Sequence, residues 1–248
     1  MWEDLHPLMQ SWPYEPGTIQ VRTIQGADGS DKLQLRLDLG ILQMETAGRP
    51  DGQHPFGCES LLEHFEHISE QYRAKGKGDL FKLNSEDCLK LQQEGMQYHH
   101  RYLAFFQLQN YEGVVRDALR NLHLFDFVDL HAEKSELSGM FQQFRPYILM
   151  MLTRARAMLA LEDKQHALAI KHIEWGLQEI QSFLRETSPA EGLEQNSELQ
   201  FLHNWMKEIE RDRPLTPREK LRRQMQEAVE NEDYERAARL RDALDELR

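Results

Sequence analysis

The spacing of hydrophobic residues changes once along this chain, near residue 57. Before that point Ile19, Val21 and Thr23 alternate with polar residues, and so do Leu33, Leu35, Leu37 and Leu39. A period of two sends successive side chains to opposite faces of a strand, so each run predicts a strand with one buried and one wet face. The stretch GADGSD between the runs is turn material, because its glycines adopt positive φ without strain. ILQMET, after Gly40, predicts a third strand, and AGRPDG a second turn. Two or three antiparallel strands are marginal alone, so the sheet is expected to pack on helices or to pair with a partner.

From Cys58 onward the apolar residues recur at three and four, the helical spacing. CESLLEHFEHISEQYRAKG places Leu61, Leu62, Phe65 and Ile68 on one stripe. A second helix begins at Asn84 or Ser85, where Glu86 and Asp87 fill the first turn and oppose the positive end of the helix dipole. YEGVVRDALRNLHLFDFVDLHAE predicts a third, with Val114, Val115, Leu119, Leu122 and Phe125 or Phe127 inward. Pro146 opens a fourth, since proline lacks the N–H that the first turn leaves unpaired. KQHALAIKHIEWGLQEIQSFLRE answers it after a turn near Glu162 and Asp163. TSPAEG breaks the pattern, NSELQFLHNWMKEIERDR forms one more helix, and PLTP breaks it again with Thr216 as N-cap. Two final helices span about Pro217 to Glu230 and Tyr234 to Arg248.

The predicted class is α+β and mainly α. A small antiparallel sheet at 1–56 packs on a helical body at 57–213, and a helical hairpin closes the chain at 217–248. The body pairs its helices through tight polar turns, with alanines allowing close approach. It resembles tetratricopeptide-type hairpins, although the turns lie about 50 residues apart against about 34 in the standard repeat and the signature Trp, Leu, Gly and Pro set is absent. An ordinary helical bundle is the other arrangement.

Charge narrows the choice of partner. The formal net charge is -12 with 29% charged residues, and a field of that sign repels nucleic acid unless a local basic patch overrides it. The densest such patch is LTPREKLRR, with Arg218, Lys220, Arg222 and Arg223. Acidic residues downstream nearly balance it, so nucleic acid is not expected as the main partner. Cys58 and Cys88 match neither a disulfide framework nor a zinc site. Two isolated thiols suit the reducing cytoplasm, the expected location. No apolar run approaches the roughly 18 residues of a membrane span, and MWEDLHPLMQSW lacks the pattern of a secretion leader.

The closing segment KLRRQMQEAVENEDYERAARLRDALDEL carries the most specific pattern. Leu221, Met225, Ala228 and Val229 form the apolar side of its first helix; Ala237, Ala238, Leu240, Arg241, Leu244 and Leu247 mark the second. Tyr234 stands at the entry to the second helix, where it can pack back onto the first. An aromatic followed by Glu (Tyr234-Glu235), paired alanines (Ala237-Ala238) and an Arg-Asp pair (Arg241-Asp242) sit at fixed spacings. This segment resembles the UVR motif, the helical hairpin of bacterial nucleotide excision repair proteins and of several Clp-protease-associated proteins. The rest of the chain is similar to an uncharacterised bacterial group ending in the same motif and sharing a stretch like LQLRLDLGILQMETAGRPDG.

The resemblance implies protein–protein contact, since such hairpins pair with like hairpins and join two subunits. Carried over, Leu221, Met225, Tyr234, Ala237, Ala238, Leu244 and Leu247 become contact or packing residues, with Arg241 and Asp242 as polar links. The partner is then a second copy or another UVR-bearing protein. The same residues can instead hold the hairpin together, a role that suits Ala237 and Ala238 at least as well, whereas Arg241 fits an inter-chain role better, and a hairpin of about 30 residues is marginal without a partner or host surface.

Little else points to chemistry. Glu63, His64, Glu66 and His67 share one helical stretch, but not in the HExxH pattern or its inverse. His99 and His100 are adjacent and diverge on a helix. Asp126 and Asp129 form a weak carboxylate pair, with His131 and Glu133 following. No phosphate-cradling GxxxxGK[ST] loop is present. No catalytic residue, cofactor or metal is expected. GRPDG (Gly48 to Gly52) reads as a tight turn or as a rigid loop docking a helix or a peptide, and a partner strand could add to LQLRLDLG if that strand lay at an edge. The expected function is a non-enzymatic interaction or scaffold protein; the alternative is an accessory factor of bacterial DNA repair with weak nucleic-acid contact.

Overall fold

The computed structural model describes residues 4–187, 193–214 and 217–246. The chain divides into two compact units, Met1–Asn204 and Trp205–Arg248.

In the first unit a short helix α1 (His6–Ser11) precedes strands β1 (Val21–Gln25), β2 (Asp31–Leu37) and β3 (Gly40–Glu45). They form one antiparallel sheet in the order β1-β2-β3. In register, Thr23, Leu33 and Met44 lie side by side, as do Val21, Leu35 and Leu42. Leu33, Leu35 and Met44 are buried, so the alternation identifies the core face correctly. It misjudges the other face. Lys32, Gln34 and Arg36 are buried too, because β2 is the central strand and the chain around Trp12 returns to that side. Arg36 Nε donates to the Trp12 carbonyl at 2.8 Å, and the Arg22 guanidinium lies 4.1 Å from the centre of the Trp12 ring. Arg22 also donates to Gln34, and Gln34 to Gln43. Lys32 reaches Asp28 and Glu45 at 2.8 and 2.5 Å. Polar groups removed from water are thus paired with one another. Ile19 precedes the sheet, and Leu37 and Leu39 end in solvent where β2 turns into β3. The central position of β2 also denies LQLRLDLG an open edge.

The helices follow as α2 (Leu61–Ala74), α3 (Ser85–Gln107), α4 (Tyr111–His131), α5 (Ser135–Gln142), α6 (Arg145–Glu162), α7 (His166–Thr187) and α8 (Ser197–Asp212). Asn84 caps α3 through a reciprocal capping box with Asp87. Pro146 occupies the first turn of α6. The break at 188–192 and the cap at Thr216 lie outside the described residues. The short α5, between Glu133 and Arg145, has no counterpart in the pattern reading.

Two helical hairpins, α3/α4 and α6/α7, close in the same way. Gln109 and Lys164 each take φ 59°, the left-handed conformation. The next N–H returns five residues, from Asn110 to the Phe105 carbonyl at 2.9 Å and from Gln165 to Ala160 at 2.8 Å, while Gln109 and Lys164 bond to Phe106 and Leu161. This is the Schellman closure with a non-glycine residue at its left-handed position. Close approach follows from small residues. A Cβ at Gly113 would fall 2.8 Å from the Phe105 ring, and one at Gly176 only 2.0 Å from the Thr153 hydroxyl. Tyr102, Leu124, Leu152, Ala155 and Ile173 fill the core.

α4 packs against α3, α5 and α6. A helix enclosed on several sides has no broad solvent face, so Asp117 and Asn121 are buried while Leu119, expected inward, is exposed.

The GRPDG loop lies at the centre of a buried polar network. Arg101 on α3 holds Asp117 on α4 by two bonds of 2.7 and 2.9 Å, with both side chains 1% exposed. The same guanidinium donates to the carbonyls of Glu45 and Gly48. Arg116 joins Asp117 and donates to the Thr46 carbonyl. Glu94, fully buried, accepts the Leu61 and Leu62 N–H groups at the start of α2 and pairs with Arg120. Arg49 Nε lies at ion-pair distance from Asp51 (3.1 Å) and Glu94 (3.5 Å), and Asp51 accepts from Gln97. Both readings of GRPDG hold: it is a tight turn, with the Gly52 N–H bonded to the Arg49 carbonyl at 2.9 Å, and it docks helices, which are its own.

Candidate partner-binding hairpin

Helices α9 (Pro217–Glu230) and α10 (Tyr234–Glu246) pack against each other as a hairpin. Its turn repeats the closure of the other two. Glu232 takes φ 59°, the Asp233 N–H bonds to the Ala228 carbonyl at 2.8 Å, and the Glu232 N–H to Val229 at 3.0 Å. Asp233 then caps α10, accepting the Arg236 N–H at 3.1 Å. Along the surface, Arg223–Glu227 and Arg239–Glu235 are ion pairs four residues apart, each worth a few tenths of a kcal/mol.

Leu221, Met225 and Ala228 line one side of α9; Ala237, Leu240, Ala243 and Leu244 line α10. Among the described residues of the hairpin only Ala228 is buried, at 2% exposure. Leu221, Met225, Ala237 and Leu244 remain half-buried. Ala238, Arg241 and Asp242 are exposed, and Arg241 bonds to its neighbour Asp242 through Nε and Nη2 at 3.1 and 2.9 Å. Tyr234 does not pack back onto α9: it is 67% exposed, because the Glu232–Asp233 turn starts α10 with this residue pointing away from the seam. Val229 is exposed beside the same turn in sequence. Leu247 lies outside the described residues. The basic residues Arg218, Lys220, Arg222 and Arg223 are all exposed on α9.

Of the residues considered for other chemistry, Glu63, Glu66, His67, Asp126 and His131 line one open pocket between α2 and α4, whereas His64, Asp129, His99, His100 and Cys88 lie outside it. His64 stacks on Phe56 with ring centres 4.1 Å apart. His67 Nδ1 lies 3.9 Å from Cys58 Sγ, at the long end of hydrogen-bond reach for sulfur. Glu66 pairs with His123, Asp126 with Arg145, Asp129 with Ser138, and His131 with Ser69. Cys88 is buried away from water, which pushes its thiol up to about 11, so it stays protonated at neutral pH and lacks the thiolate that reacts. His99 and His100 both fall below the ordinary histidine range through burial, His99 to about 4. Among the described residues no group of three or more His, Cys, Asp or Glu side chains is placed to hold a metal ion, and no helix is long and apolar enough to cross a membrane. The network around Arg101 escaped the sequence reading; the one available signal was charged and amide residues (Asp117, Asn121) at helical spacing inside a strongly apolar segment.

Compared with known proteins, the family model of the UvrB/uvrC motif matches residues 218–248. No curated protein and no solved structure gives a significant match.

Proposed function

We propose that this is a non-enzymatic interaction protein that uses its C-terminal hairpin to pair with a second copy of itself or with another protein bearing the same motif. The observation that carries this reading is the motif at 218–248 on a hairpin whose one buried residue, among those described, is an alanine. Burying a side chain as small as alanine yields roughly 1 kcal/mol, far below the ordering cost of about 1 to 2 kcal/mol per residue. A partner covering Leu221, Met225, Leu240 and Leu244, with Tyr234 as an aromatic anchor, supplies the missing apolar burial. Arg241 and Asp242 exchange their mutual contact for partners across the interface. In this reading the body is a scaffold of tetratricopeptide-like helical hairpins, and the protein works in the cytoplasm without a catalytic site.

Light scattering on the full chain and on a chain ending at Arg213 tests the proposal. A dimer that becomes a monomer on truncation, and on Tyr234→Ala with Leu244→Asp in the full chain, supports self-pairing. Monomers throughout exclude it and leave pairing with a different motif-bearing protein. A dimer throughout moves the interface out of the hairpin and overturns the reading.

One observation favours a second role, as an accessory factor in bacterial DNA repair: the four exposed cations of α9 sit within or beside the matched motif. Fluorescence anisotropy with labelled duplex DNA decides it. Affinity at physiological salt that falls steeply as salt rises supports contact with phosphates; no binding at low salt rejects it.

A further inference from the structure

The first unit contains a cavity of about 140 Å³ between α3, α4, α5 and α6. Its walls are almost entirely apolar: Phe125, Phe141, Phe144, Tyr147 and the thioethers of Met96 and Met140. Gly95 also faces it and contributes no side chain. None of the described lining residues is Asp, Glu, Lys or Arg, in a chain where those types make up 29%. Its solvent-exposed lining residues are Met96 (44%), Met140 (39%) and Phe144 (46%), which mark the mouth. Flexible thioethers and a ring at an entrance adapt to a flat guest and make favourable sulfur–aromatic contacts.

Besides Gln92 and Asn121, which donates to the Gly95 carbonyl, a bonded polar pair interrupts the wall. His99 Nδ1 lies 2.7 Å from the Tyr102 hydroxyl. Burial keeps the imidazole neutral and the phenol protonated at neutral pH. The pair then owns one N–H and one O–H, and a single hydrogen fills the bond between them. Whichever group donates, one donor is left over on a lining residue.

We propose that this cavity is a binding site for one uncharged aromatic ring bearing a hydrogen-bond acceptor, presented by a free small molecule or by an aromatic side chain of a peptide. The volume suits a single ring, since an apolar cavity of about 150 Å³ is enough to take benzene. The absence of charged wall residues disfavours ions, because a charge entering an apolar site forfeits its hydration without compensation.

The test uses the full chain with 13C-labelled methionine methyls and follows Met96 and Met140 by NMR during titration. The probes are phenol, N-acetyltyrosinamide and benzoate. Phenol is expected to shift both methyls saturably, with Kd no weaker than about 1 mM, and benzoate to bind at least about ten-fold more weakly. Tyrosinamide binding as well as phenol assigns the site to a side chain; phenol alone assigns it to a small molecule. Met140→Trp, read at Met96 and checked by a thermal melt, should weaken phenol at least about ten-fold, which corresponds to filling the site. Met96→Trp, read at Met140, replaces it if that variant does not fold. No saturable shift with phenol up to about 10 mM, benzoate equal to phenol, or undiminished binding in a folded filled variant overturns the proposal.

Discussion

Replacing Arg101 or Asp117 removes the link that ties α3, α4 and the GRPDG loop together. Both side chains are 1% exposed and face each other through two bonds. Breaking one partner out of a buried pair costs about 3 to 5 kcal/mol, because the survivor is left charged in a poor solvent. The structure ranks the two changes. In Arg101→Met, Asp117 keeps the Arg116 bond at 2.9 Å, and Arg116 is half in water. The carboxylate is then partly neutralised, and the cost falls near 3 kcal/mol. In Asp117→Ala, the Arg101 cation retains only the Glu45 and Gly48 carbonyls and the face of Tyr98, 4.8 Å away. No anion replaces the one lost, so the cost approaches 5 kcal/mol. In the double variant Arg101→Met/Asp117→Ala neither charge is stranded, and it should be less destabilised than the sum of the singles by at least about 2 kcal/mol. Urea denaturation followed by far-UV circular dichroism reads all four proteins, fitted with two transitions where the two units melt apart. A single-variant cost under about 1 kcal/mol, or additivity in the double, would refute the claim that this pair is a coupled buried unit.

Three further outcomes follow from the packing. Gly176→Ala sets a methyl 2.0 Å from the Thr153 hydroxyl and should cost about 2 to 3 kcal/mol, only part of it recovered in Gly176→Ala/Thr153→Ala because the Cβ of residue 153 still stands 2.8 Å away; a neutral Gly176→Ala in a thermal melt would contradict the close approach of α6 and α7. Gln109→Gly and Lys164→Gly relieve left-handed strain of about 1 to 2 kcal/mol each against a smaller entropic cost, so each should raise Tm, and a lowered Tm would count against the Schellman closure. Burial holds His99 near 4 when folded against an ordinary 6.5, so the unfolded chain binds the proton more readily. Its contribution is intact above pH 6.5 and is lost as pH falls from 6.5 towards 4, by roughly 2 kcal/mol. His99→Phe should flatten the stability–pH curve in that window, and an unchanged slope would show that the ring is not held neutral by burial.

The sequence was most legible where a local rule decides the outcome. The capping chemistry at Asn84, the proline at 146 and the period of two through Leu33 and Leu35 depend on neighbours within a few residues, and each marks its element correctly. It was least legible where long-range packing overrides the pattern. Gln34 and Arg36 read as a wet face, yet both are buried, and Arg36 meets the Trp12 carbonyl from 24 residues upstream. Asp117 reads as the polar side of an amphipathic helix, but its partner Arg101 lies on another helix and the loop carbonyls lie on a third segment. No periodicity within α4 carries that information. For the closing hairpin, fixed spacings revealed the motif, while the outward placement of Tyr234 depended on turn geometry that spacing does not encode.

The three hairpins share one turn and differ in what lies beneath it. Gln109, Lys164 and Glu232 all take φ 59°, and each is followed by an N–H returning five residues. Turn chemistry therefore does not distinguish the closing hairpin from the other two. Below the first two turns lie Phe105, Tyr102 and Leu124, and Leu152, Ala155 and Ile173, all buried. Below the third lies Ala228, with Leu221, Met225, Leu240 and Leu244 each half in water. A helix pair gains most of its stability from the apolar face it covers and little from propensity. The first two hairpins cover theirs within the chain. The third leaves its own partly uncovered, so if a second copy covers it, as proposed, the stability of α9 and α10 should rise with protein concentration.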